Sequence, residues 1–141
     1  MNRFELTRRS LFAGVAVAAL GGCMRLDPRK PVRTLVFRLP LVSRPALWET
    51  VQKYAAQNHL ACHLLPARAG QPRNFVFLAR GQGLDIVGRN NAYDPLQPND
   101  YEVRFYAESL FGASHATLNR FADSFRATVL ADHSVHLISD T

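Results

Sequence analysis

Apolar positions recur along the chain with two different periods, and each change of period marks an element. Residues 33–39 include Thr34, Leu35, Val36 and Phe37 in succession, a β-favouring run that Pro40 ends. The spacing then lengthens. Leu47, Val51, Tyr54 and Ala55 recur at helical intervals with Trp48 beside them, while Glu49, Gln52, Lys53 and Gln57 fall on the wet side. Ser43 is placed to cap this helix, Pro45 to occupy its first turn, and Asn58-His59 to end it. Residues 60–65 read as a second strand, followed by a polar, basic loop over residues 66–74. Residues 75–79 are apolar at every position, as in a strand buried on both faces. Gly81-Gln82-Gly83 makes a tight connection to a short strand over residues 84–87. Residues 89–100, with Asn90, Asn91, Pro95 and Pro98, read as a loop.

Residues 102–108 alternate cleanly. Val103, Phe105 and Ala107 take one face and Arg104 and Tyr106 the other, the pattern of an antiparallel strand with one face exposed. Ser114 is placed to cap a second helix with an apolar stripe of Leu118, Phe121, Ala122, Phe125 and Val129. Its outer side carries Asn119, Arg120, Asp123 and Arg126, and residues 134–139 supply a last strand. Strand, helix, three or four strands, helix, strand predicts an α+β fold, an antiparallel sheet covered on one face by two helices. The nearest familiar layout is the ferredoxin-like sandwich with an added hairpin, an analogy of fold that leaves function open.

The first 22 residues obey another rule. Arg3, Arg8 and Arg9 precede an uncharged, largely apolar run, residues 11–20, and Gly21-Gly22-Cys23 follows. Basic, apolar, then small is the order of a secretory signal. The apolar run is too short to span a bilayer, which takes roughly 20 residues. Leu20-Gly21-Gly22-Cys23 resembles the lipobox of bacterial lipoproteins, an apolar residue and two small ones before a cysteine. The resemblance covers the leader alone. It implies a diacylglycerol on the Cys23 thiol, cleavage between Gly22 and Cys23, and acylation of the new amino group. Met24 rather than Asp follows the cysteine, which within that family implies the outer membrane, facing the periplasm. Two or three acyl chains hold firmly, since each buried CH₂ contributes about 0.8 kcal/mol. Thr7-Arg8-Arg9-Ser10-Leu11-Phe12 also resembles a twin-arginine export signal, with its two apolar residues reversed and without a lysine. Ordinary and twin-arginine export both fit. The resulting plan is a signal peptide over residues 1–22, a lipidated tether over residues 23–32 with Pro28 and Pro31, and one α+β domain over residues 33–141. Beyond the cysteine the tether reaches up to roughly 30 Å.

A hydrophobic share of 48% excludes disorder of the whole chain. Without the leader's Arg3, Arg8, Arg9 and Glu5, the 17 basic and 11 acidic residues become 14 and 10. That excess falls short of a nucleic-acid footprint and permits anionic lipid or an acidic protein. Two cysteines, one of them lipidated, make no disulfide framework, so Cys62 reads as a small buried apolar residue.

Site chemistry is sparse. His59, Cys62 and His63 are the nearest approach to a metal cluster, but Cys62 and His63 diverge as strand neighbours and zinc needs three or four ligands. His133 and His136 read as surface residues. Capping explains Ser114 beside His115, and turn geometry explains Gly81 and Gly83, which with Gly88 make no phosphate-binding fingerprint. No catalytic residue, metal or cofactor is expected beyond the lipid on Cys23. Arg68, Arg73, Arg80 and Arg89 read as lying in connections around the central hairpin, with Tyr93 and Tyr101 close by. Arg and Tyr are favoured at binding hot spots, so Arg68, Arg73, Arg89 and Tyr93 are the candidate partner-binding residues. The expected function is a non-catalytic accessory module that binds another envelope protein. The alternative is a small envelope hydrolase with dispersed residues, which would bring His63 or His115 against a carboxylate.

Overall fold

The run Thr34-Leu35-Val36-Phe37 becomes an interior strand, and the rest of the layout follows from that place. The structure, a computed structural model, describes residues 29–65, 75–90, 99–109, 111–133 and 135–141. Strand β1 spans Arg33–Arg38 and a 3-10 turn spans Leu41–Ser43. Helix α1 is Arg44–Gln57. Strands β2, β3, β4 and β5 are Ala61–Leu65, Val76–Gly81, Leu84–Asn90 and Asp100–Ala107. Helix α2 is His115–Asp132 and strand β6 is His136–Asp140. The strands form one open sheet in the order β2-β3-β4-β5-β1-β6, antiparallel at every junction. Thus α1 carries the chain from β1 to the far edge, a four-strand meander returns to β1, and α2 crosses it to reach the other edge. The architecture is α+β.

Both helices serve one core. Leu35, Phe37, Phe77, Ile86, Val103 and Phe105 from the sheet meet Leu47, Val51 and Tyr54 of α1 and Leu118, Phe125 and Val129 of α2. At its centre Phe125 stands edge-on to Tyr54 with ring centroids 5.2 Å apart. The Tyr54 hydroxyl donates to the Phe121 carbonyl at 2.8 Å, and burial pushes the phenol up to about 12. The two helix starts differ. Ser114 caps α2 as expected, its hydroxyl accepting from the Thr117 N–H at 3.2 Å. Ser43 makes no side-chain cap, because the 3-10 turn already holds it in helical conformation and runs straight into α1.

Three expectations need correction. Residues 89 and 90 continue β4 instead of opening a loop, since Arg89 pairs in register with Glu102. Strand β5 is not half exposed. It lies between β4 and β1, and Tyr106 is only 3% exposed, with Glu102 and Arg104 partly buried. His133 is partly buried rather than on the surface, because it closes α2 against α1.

An ion-pair network fastens β6. Arg33 donates from Nε and Nη2 to the two oxygens of Asp140, at 2.6 and 2.7 Å, and Arg126 donates to the same carboxylate at 2.8 Å. Arg33 also meets Asp123 at 2.9 Å. The hydrogen bonds from Arg33 hold the Asp140 carboxyl below its ordinary range. A carboxylate with a depressed folded pKa stabilises fully above its unfolded value, about 3.9, and the gain is lost as pH falls through the lower folded value. Asp140→Asn is therefore expected to cost about 1.5–3 kcal/mol near neutrality, as for hydrogen bonds to charged groups. The difference between wild type and variant should shrink in acid, read by urea denaturation from pH 7 down to pH 3. A gap that stays constant with pH would show that the charge on Asp140 contributes nothing.

Candidate partner-binding face

Side chains alternate across a sheet, so the positions that do not meet the helices share the second face. There β3 contributes Leu78 and Arg80, β4 Asp85, Val87 and Arg89, β5 Asp100, Glu102, Arg104 and Tyr106, and β1 Val36 and Arg38. Opposite charges stand side by side. Arg80 grips Asp85 with two hydrogen bonds of 2.6 and 3.1 Å. Glu102 lies between Arg89 at 3.2 Å and Arg104 at 2.8 Å, and Arg38 meets Asp100 at 3.4 Å. Burial works against the Arg104 cation, but Tyr106 and Glu102 more than offset it, and its pKa stays above the ordinary value. Its Nε is buried without a hydrogen-bond partner among the described residues. The face is therefore a lattice of matched charges with half-buried Val36, Leu78 and Val87 between them. Such a surface offers polar and apolar contacts together.

The structure describes some of the residues expected to make a basic edge. Arg80 lies in β3 and Arg89 in β4, both ion-paired. Tyr101 is fully buried on the helix side of β5, its ring stacked on Phe77 and its hydroxyl donating to the Phe75 carbonyl at 3.0 Å. Arg68, Arg73 and Tyr93 lie outside the described residues, as do Gly22 and Cys23.

Two polar residues went unread in the sequence. Arg44, in the first turn of α1, is buried with its guanidinium 5.8 Å from the Tyr101 ring, and burial lowers its pKa. Nothing in its local pattern separates it from a solvated arginine beside a proline. The Thr50 hydroxyl lies 2.9 Å from His133 Nε2 and donates to Asp132 at 3.1 Å. A hydroxyl beside an imidazole resembles a nucleophile and its base. Here, however, Thr50 is 4% exposed and the carboxylate holds the hydroxyl, whereas a catalytic triad needs it on the imidazole. The contact links the two helices. The cysteine and histidine of β2 diverge as expected, Cys62 against the core and His63 in solvent. Among the described residues, neither His63 nor His115 meets a carboxylate, and no group of three His, Cys, Asp or Glu residues could hold a metal. No helix among them is long and apolar enough to cross a membrane. No family, curated protein or solved structure matches the chain.

Proposed function

We propose that the chain is a lipid-anchored, non-catalytic module of the bacterial envelope that binds another envelope protein. The observation that carries the anchor is Leu20-Gly21-Gly22-Cys23 after a short basic and apolar leader. The domain then faces the periplasm from the outer membrane, held by acyl chains on Cys23. Its finer fold is a ferredoxin-like sandwich with an inserted hairpin. With β2 and β3 set aside, the order β4-β5-β1-β6 and the two helical crossovers are those of the βαββαβ layout. Binding uses the second sheet face, on which Arg89 stands, together with Arg68, Arg73 and Tyr93. Supporting this, both helices are spent on the other face, and paired charges favour specificity and association rate.

The anchor is tested with a fatty-acid probe in growing cells. Wild type should be labelled and Cys23→Ser should not, and equal labelling of the two would sink the anchored reading. The binding surface is tested by capture of envelope partners at two salt concentrations. Arg68→Ala, Arg73→Ala and Arg89→Ala combined should weaken capture, more so at low salt, with folding intact. Capture unchanged at both would remove these arginines and leave the part of the second sheet face around Arg104 and Val87 to test.

A further inference from the structure

Phe111 is 98% exposed, the most exposed large apolar side chain among the described residues. Its loop, between β5 and α2, is held in place. The N–H groups of Glu108 and Ala113 both donate to the Gly83 carbonyl at 2.9 Å, and the Gly112 N–H donates to the Ser109 carbonyl at 2.9 Å. The Phe111 N–H itself donates to the Ser109 hydroxyl at 3.3 Å. A Cβ on Gly112 would stand 2.6 Å from the Gly83 carbonyl oxygen, so the loop is pressed against the β3–β4 turn. The ring thus stands in solvent beside hydrogen bonds that tie Glu108 and Ala113 to the β3–β4 turn.

This loop lies at one particular end of the sheet. The Val32 N–H donates to the Phe105 carbonyl at 2.8 Å, and Arg33 pairs with Phe105 two residues before β5 ends. The segment leading from Cys23 therefore joins the domain at the end that carries Phe111. Val42, 88% exposed, follows β1 at the opposite end.

We infer that Phe111 is a second, non-covalent membrane contact, seated in the bilayer interface beside the lipid on Cys23. This rests on the anchored reading above. The eight residues between Cys23 and Val32 span at most about 30 Å, so this end of the domain stays within that reach of the bilayer. The two contacts add. The acyl chains hold the protein at the surface, and the ring fixes which end of the domain meets it. A buried phenylalanine side chain strengthens the equilibrium by roughly tenfold to a hundredfold.

The test attaches the chain chemically, so that it does not depend on lipidation in cells. The chain from Cys23, carrying Cys62→Ala, is coupled through its thiol to a maleimide phospholipid in vesicles of phosphatidylethanolamine and phosphatidylglycerol. Phe111→Trp and Val42→Trp are compared in a Trp48→Phe background. Should that background fail to fold, Trp48 is retained as a signal common to both and subtracted. Lipids brominated on their acyl chains should quench the fluorescence of the Phe111→Trp chain and leave that of the Val42→Trp chain unquenched. When the coupled lipid has a single acyl chain, Phe111→Ser should leave vesicles roughly tenfold to a hundredfold more readily than the parent. An indole at position 111 as open to aqueous iodide on vesicles as in the uncoupled protein would overturn the inference, as would equal quenching of the two variants. Phe111 would then be left for a protein partner. Equal fatty-acid labelling of wild type and Cys23→Ser in cells would instead remove the anchor, whatever the Phe111→Trp chain does on vesicles.

Discussion

Phe125→Ala is expected to lower the stability of the domain by about 3–5 kcal/mol, the usual range for an aromatic side chain removed from a core. Phe125 is 1% exposed, and three rings surround it. Tyr54 stands edge-on at 5.2 Å, Phe105 at 6.0 Å and 73°, and Phe77 at 6.4 Å. These come from α1, β5 and β3, so the cavity would open where both helices meet the sheet. Close aromatic pairs add about 0.5–1.5 kcal/mol each beyond buried area, and a void bordered by three stiff rings collapses poorly. Urea denaturation of the chain with and without the change measures the loss. A cost near 0.5 kcal/mol, the range of surface changes, would mean that α2 presents another side to the sheet.

That position was legible in advance because a helix repeats. Leu118, Ala122, Phe125 and Val129 are all buried along α2, as their spacing requires. The remaining stripe position, Phe121, is only partly buried and offers its carbonyl to Tyr54. Strand existence was legible too, but strand partners were not. Nothing near Arg89 reveals that Glu102 lies opposite and extends β4 by its ion pair. Nothing near Asp140 reveals Arg33, 107 positions earlier. The second-face charges looked like loop and surface residues because each was read without its cross-strand neighbour. For the proposed anchor the case is reversed, since the reading of Cys23 rests on adjacent residues alone.

Gly88→Ala is expected to cost about 1–3 kcal/mol, the range for forcing extra volume into a packed core. Turn geometry is not the reason, for Gly88 lies inside β4, opposite Phe77 on one side and Val103 on the other. A Cβ there would stand 2.0 Å from Phe77 Cε1 and 2.5 Å from Cδ1 and Cζ. The Phe77 ring lies over the bare backbone and cannot retreat, with Tyr101 stacked at 6.3 Å, Trp48 at 6.4 Å and Phe125 beyond. Glycine in a strand weakens it and often marks a close approach, which here is an aromatic ring. Pairing Gly88→Ala with Phe77→Leu separates lost space from lost flexibility. If the clash is the cause, the double variant is more stable than the sum of the two single losses allows. Strictly additive losses would place the cost in the backbone.

The placement of β1 also bears on how the protein is made. A ribosome delivers Thr34 to Phe37 early, yet the partners of this strand, β5 and then β6, are made long afterwards, β6 at the very end of the domain. Before β5 is made this run has neither edge satisfied, and one edge stays open until β6 follows; an unpaired apolar strand is an aggregation hazard. Local order can form in α1 and the β2–β3 hairpin during translation, but Arg33 waits for Asp140 and Thr34 for Thr141. Both edges of β1 are therefore satisfied only once residues 136–141 have been made.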